Sequence, residues 1–229
     1  MKLIDQKISC NVLLNLDELP FLELASQRFM AEIVDNFKFS LQTHIQDSTS
    51  KIVALQFIGG LFIDESGKQL GIERLNIEPR KVSIIMTGTS ENAKNMFNNL
   101  QELIKKLSNV STSKFLNPII SSFETQIVSK LNFDSSDIFN PRITSFINSI
   151  VQSSPIANAN AKLTLFGISG SIDFIPTDDK LIQKRITLSR KEFVFSIAPG
   201  YPISDNTYLS RAPLETKDHL SILRKLEQM

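Results

Sequence analysis

Shifting the chain by 111 residues lays Lys51–Met86 over Lys162–Ile197 without a gap. Gly59 then meets Gly170, Leu70 meets Leu181 and Arg74 meets Arg185. Identity across the overlap is sparse. Twelve positions nevertheless pair apolar with apolar, against roughly seven expected from local composition. A turn falls at the same place in each segment and an amphipathic helix closes each, as a repeated supersecondary unit requires. The competing reading is two unrelated meanders that share strand lengths.

An antiparallel meander with one apolar face must have that face covered. The sequence therefore predicts an α+β fold of two similar antiparallel β-meander plus helix units. They would be related by internal duplication, with the helices packed on one sheet face. The first unit would span 1–110, with a leading strand and helix. The second would span 111–229, with leading helices and a C-terminal helix.

Along the chain, Ile8–Leu14 reads as a strand, and Asp17 caps a helix running through Leu22, Phe29 and Ile33. Phe37–Ile45 alternates apolar and polar, which predicts a half-buried strand. In the first copy, strands Ile52–Ile58, Leu70–Ile77 and Val82–Met86 are expected, with a bend at Gly59-Gly60 and a hairpin turn at Asp64–Gly67. Thr89 or Ser90 then caps a helix carrying Met96, Phe97, Leu100, Ile104 and Leu107 on one face. The middle, Ser108–Ser154, is expected to be helical. Asn117-Pro118 and Asn140-Pro141 each fit an N-cap followed by a first-turn proline, and Ile119, Phe123, Ile127 and Leu131 recur every four residues. The second copy supplies strands at Leu163–Ile168, Leu181–Leu188 and Phe193–Ile197 and a helix from Thr216.

Bulk properties narrow function mainly by exclusion. A net charge of +1 over 229 residues gives no overall field to draw the chain to nucleic acid or an anionic membrane. One cysteine, Cys10, forms no internal disulfide and suits a reducing cytosol, so a cytoplasmic location is expected. No stretch approaches the roughly 20 apolar residues of a membrane span, and no membrane partner is expected.

No catalytic signature is found. The pair His44 and His219 shows no zinc spacing, no serine lies in a GxSxG elbow, and no glycine-rich phosphate loop occurs. The sequence points to no catalytic residue, cofactor or metal site. Cys10, on a strand, reads as a small buried hydrophobe rather than a nucleophile.

Two places are left as candidate sites. The copies diverge at Ala198–Glu215, where the second carries an insertion with both tyrosines and three prolines. Tyrosine and arginine are favoured in interface hot spots, so Tyr201, Asp205, Asn206, Tyr208 and Arg211 are the candidate partner-binding residues of a loop spanning 199–213. The open sheet face is the other surface. Together they predict a non-enzymatic protein-interaction or regulatory module, with a protein partner or a second copy of the chain. The alternative is nucleic-acid binding by Lys184, Arg185, Arg190 and Lys191 of the basic hairpin 180–191, with Arg74 at the position that matches Arg185 in the first copy. A third possibility is an enzyme with an unrecognised site.

Overall fold

A computed structural model of the chain describes residues 1–15, 19–108, 118–133, 145, 149, 167–172 and 190–228. It is a mixed structure of antiparallel sheet and helices, with four helices among the described residues. The chain divides into two compact units. The larger holds Gln6–Gln126 and Pro213–Leu220; the smaller holds Met1–Asp5, Ile127–Ala212 and Ser221–Met229.

In the larger unit, β1 (Lys2–Leu14, from Gln6 on) leads to two helices, α1 (Phe21–Leu24) and α2 (Gln27–Phe37). Ser26 caps α2 by accepting from Phe29 N, and Lys38, at φ 53°, ends it in the left-handed conformation. That ending puts Phe37 on the helix, where the sequence alternation had placed it at the start of a strand. Strand β2 begins only at Leu41 and runs to Gln46. Then come β3 (Ile52–Ile63), β4 (Gln69–Glu78), β5 (Lys81–Thr87), helix α3 (Ser90–Ser108) and the first part of β6 (Pro118–Lys130). The strand order is β2-β3-β4-β5-β1, with β6 next to β1.

Alternation puts Ile8, Cys10, Val12 and Leu14 of β1 on the buried side, with Leu75 and Ile77 of β4 and Val82, Ile84 and Met86 of β5. Helix α3 adds Met96, Leu100 and Ile104 to the same core, and α2 adds Ile33 and Phe37. At the Gly59-Gly60 bend the backbone runs close against the core. Gly59 adopts φ 69°, and a Cβ on Gly60 would lie 2.6 Å from the Phe39 ring. The Asp64–Gly67 turn forms as its composition implies. Asp64 Oδ1 accepts from the backbone N–H groups of Ser66 and Lys68, both at 2.9 Å, and Gly67 takes φ 82°.

The smaller unit contains the end of β6, β7 (Gly167–Ile172), β8 (Lys191–Ile197), β9 (Thr207–Ala212) and the C-terminal part of helix α4 (Thr216–Gln228). Its strand order is β6-β9-β8-β7. Phe133, Phe195 and Tyr208 form a ring stack, with Tyr208 centroids 5.3 Å from Phe133 and 5.0 Å from Phe195.

Three expectations are corrected. Residues 118–130 form a strand, not a helix. A four-residue spacing is an even number, so Ile119, Phe123 and Ile127 share a strand face as readily as a helix face. Thr125 and Ser129, buried between and beyond them, complete that face. The insertion 199–213 is not one loop, because β9 occupies its second half and pairs with β8.

The third correction concerns the repeat. Under the 111-residue shift β7 corresponds to β3 and β8 to β5. In the structure β7 pairs directly with β8, whereas β4 lies between β3 and β5. The described strands of the two segments therefore do not share one order. Matched apolar alternation is common to antiparallel strands with one buried face, which is enough to produce the sequence signal. Asp17, the Asn140-Pro141 pair and the strand at Leu181–Leu188 lie outside the described residues.

Candidate functional site

The core takes one parity of each strand in the larger unit; the other parity forms an outward face. Strand register assembles that face into rows. Thr43 pairs with Gln56, Gln56 with Asn76, Asn76 with Ser83 and Ser83 with Asn11, so five polar residues from five strands stand in line. Within the row Gln56 Nε2 donates to Asn76 Oδ1 at 3.2 Å, and Ser83 Oγ donates to Asn11 Oδ1 at 2.8 Å. The neighbouring row is Leu41, Ile58, Arg74, Ile85 and Ser9.

Arg74 is the only charge in these two rows, and it is exposed. Charged groups sit at the margins instead, where Lys7 pairs with Glu73 and Lys81 lies 3.5 Å from Glu78. Large aliphatic side chains are exposed on the same face: Leu41 at 54%, Ile63 at 61%, and Leu61 and Ile45 to a lesser degree.

A second polar group lies where α3 and α4 begin. Thr89 Oγ1 accepts from Asn92 N at 3.1 Å and Asn92 Oδ1 accepts from Thr89 N at 2.9 Å, a reciprocal cap on α3. Ser90 N donates to Thr216 Oγ1 at 2.9 Å, and Thr216 N donates to Ser90 Oγ at 3.2 Å. Lys94 Nζ bonds Glu215 at 2.9 Å and stands 5.1 Å over the Phe123 ring.

Nearby, Thr125 Oγ1 donates to Leu214 O at 3.3 Å and lies 2.5 Å from His219 Nδ1. A threonine hydroxyl has one proton; with that proton on Leu214, His219 Nδ1–H is the donor to Thr125. Burial pushes the His219 imidazole down to about 4, so it is neutral at physiological pH. Burial also pushes the Cys10 thiol up to about 12, with Lys94 opposing that shift and Glu215 adding to it. Cys10 is 1% exposed. A protonated, enclosed thiol is not a nucleophile, and this cluster holds two helix starts together rather than presenting reactive groups.

The sequence-predicted partner residues separate by environment. Tyr201 is 39% exposed, next to Gly200, whereas Tyr208 is 2% exposed inside its ring stack, with its hydroxyl donating to Phe133 O at 3.3 Å. Tyr208 therefore packs the smaller unit and offers no contact area. Asp205 ends a short 3-10 turn, Asn206 follows it in the left-handed conformation at φ 50°, and Arg211 is half-buried on β9 opposite Val194. Of the basic set, Arg74 lies on the outward face of the larger unit, Arg190 is exposed beside half-buried Lys191 at the start of β8, and Lys184 and Arg185 lie outside the described residues.

Sequence reading missed the row of Asn11, Gln56, Asn76 and Ser83. Each is a polar residue at outward parity, which the pattern shows, but their alignment depends on register across five strands. A shallow depression of about 350 Å³ lies between the end of α2 and β3, lined by Phe37, Lys38, Leu61, Phe62, Gln69 and Asn99 among others. It gathers no acid–base pair. No group of three metal-binding side chains occurs among the described residues, and no described helix is long and apolar enough to cross a membrane. Comparison with family models, curated proteins and solved structures yields no match to this chain.

Proposed function

We propose that this protein is a non-enzymatic interaction module that binds a protein partner through the outward sheet face of its larger unit. The supporting observation is the composition of that face. Its two central rows carry amides, hydroxyls and aliphatic side chains around one arginine, while the charged pairs stand at the rim. Interface centres are depleted in charge and enriched in arginine, with a polar rim. A face built only to stay in water usually mixes charges of both signs. Helix α4 does so through Lys217, Asp218, Arg224 and Lys225.

Hydrogen bonds from Gln56 to Asn76 and from Ser83 to Asn11 hold those amides in fixed orientations. Side-chain ordering costs about 0.5–1.5 kcal/mol per immobilised group on binding, and here part of that ordering precedes contact. Helices that pack only against the core side would leave the outward face free for this role. Tyr201, exposed on the smaller unit, is a second contact candidate.

The test is an Arg74→Glu, Ile85→Lys double variant compared with wild type in quantitative affinity capture, with Lys225→Glu as control. Selective loss of captured protein in the double variant, at unchanged circular dichroism, is the expected result. Equal capture by all three removes the face from the account.

A further inference from the structure

Among the described residues, β2 is the outer strand of the larger unit, and all six of its residues, Leu41–Gln46, are exposed. Natural edge strands are usually blunted by charge, proline or a bulge that turns them away. From Ser40 to Gln46 the chain has no formal charge and no proline, and the only register shift falls at its far end, between Ile45 and Gln46. The regular part of the strand is therefore Leu41–Ile45, and its midpoint is Thr43.

Backbone direction follows from the turn that joins β2 to β3. Asp47 N donates across to Lys51 O at 2.9 Å, and the extra residue of the bulge, Val53, lies on β3 and leaves the alternation of β2 intact. Antiparallel strands alternate between residues that bond one neighbour and residues that bond the other. The N–H and C=O groups of Leu41, Thr43 and Ile45 thus bond β3 and those of Gln42 and His44 are aimed at the open edge, while the side chains of Leu41, Thr43 and Ile45 lie on the outward face with Gln56 and Ile58.

We propose that β2 pairs antiparallel with β2 of a second copy of this chain, about a twofold axis at Thr43. The strand is self-complementary in that register. Thr43 meets Thr43 of the second copy, Leu41 meets Ile45 on one face, and Gln42 meets His44 on the other. No like charges are opposed, and aliphatic pairs flank the central threonines. The polar row that runs from Asn11 through Ser83, Asn76 and Gln56 to Thr43 would continue unbroken into the second copy. An isologous contact of this kind closes after two subunits. The inference goes beyond the face-binding reading and does not depend on it, since Arg74 and Ile85 lie two or more strands from the pairing edge.

Sedimentation of the wild-type protein should give twice the 25.8 kDa chain mass, and Thr43→Lys, which opposes two ammonium groups on the axis, should give the single mass with the same circular dichroism. Single-cysteine cross-linking then reads the register. Thr43→Cys places two thiols across a non-hydrogen-bonded pair with Cα atoms about 4.5 Å apart, within disulfide range. Leu41→Cys places them about 14 Å apart along the strands. The native Cys10 is buried and stays silent. Under mild oxidation by diamide, Thr43→Cys should form a covalent dimer at least tenfold faster than Leu41→Cys. A monomer at every concentration, or equal cross-linking of both variants, overturns the proposal and leaves the edge to a strand from a different protein.

Discussion

Ser90 and Thr216 cap each other's helices. Each hydroxyl accepts from the other residue's backbone N–H, at 2.9 and 3.2 Å, although 126 residues separate them in the chain. Both are buried. The exchange satisfies two of the N–H groups that a helix start leaves open and fastens α4's first turn to α3 within the larger unit. Loss of one cap costs about 1 kcal/mol. Ser90→Ala and Thr216→Val should each destabilise by about that amount in urea unfolding, and the double variant should cost about their sum, because each change removes the acceptor of one bond and leaves the other bond's partners in place. A double variant no less stable than either single one would contradict two separate bonds.

His219 makes stability depend on pH in a definite direction. Its pKa is about 4 in the folded chain against an ordinary value of 6.5, so the unfolded chain binds the extra proton between those values. Stability is full above pH 6.5 and falls as pH drops towards 4, by up to roughly 3 kcal/mol from this group. His219→Gln should flatten the unfolding free energy across that window relative to wild type. An unchanged slope would mean that His219 is not buried neutral.

Cys10 provides an internal reporter. It is the chain's one thiol, buried and held protonated up to about pH 12. Labelling by a disulfide reagent at neutral pH should proceed only through opening of the larger unit, and its rate should rise in step with urea. Rapid labelling in native buffer would place the thiol at the surface.

The two tyrosines should part company. Tyr208→Ala empties a ring position between Phe133 and Phe195 and should cost about 3–5 kcal/mol. Tyr208→Phe, which loses the hydroxyl bond to Phe133 O, should cost about 1 kcal/mol. Tyr201→Ala should leave stability within about 0.5 kcal/mol of wild type. Thermal melts of the three variants decide this.

Much of the local structure was legible from periodicity and turn chemistry. Residues 52–108 follow their expected order of three strands and a helix, because alternating apolar positions, the Asp64–Gly67 turn and the Thr89 cap all agree. Residues 118–130 were misread because Ile119, Phe123 and Ile127 satisfy a strand as well as a helix, and Asn117-Pro118 tipped the balance the wrong way. Tyr208 was offered as a contact residue because a tyrosine in a proline-containing insertion reads as loop; β9 pairing with β8 is a tertiary fact that composition does not encode. Parity alone put Arg74 on the outward side. That Gln56 faces Asn76, and Ser83 faces Asn11, needs the register of five strands, which no local pattern carries.

The claim that the outward face of the larger unit receives a partner is tested most directly by a photo-reactive side chain placed at Ile85, in the row with Arg74, and in a second protein at Lys217, on the exposed start of α4. Illumination in cells should give a discrete adduct from position 85, lost when Arg74→Glu is added, and none from position 217. Equal adducts from both positions, or none from position 85, would contradict the account.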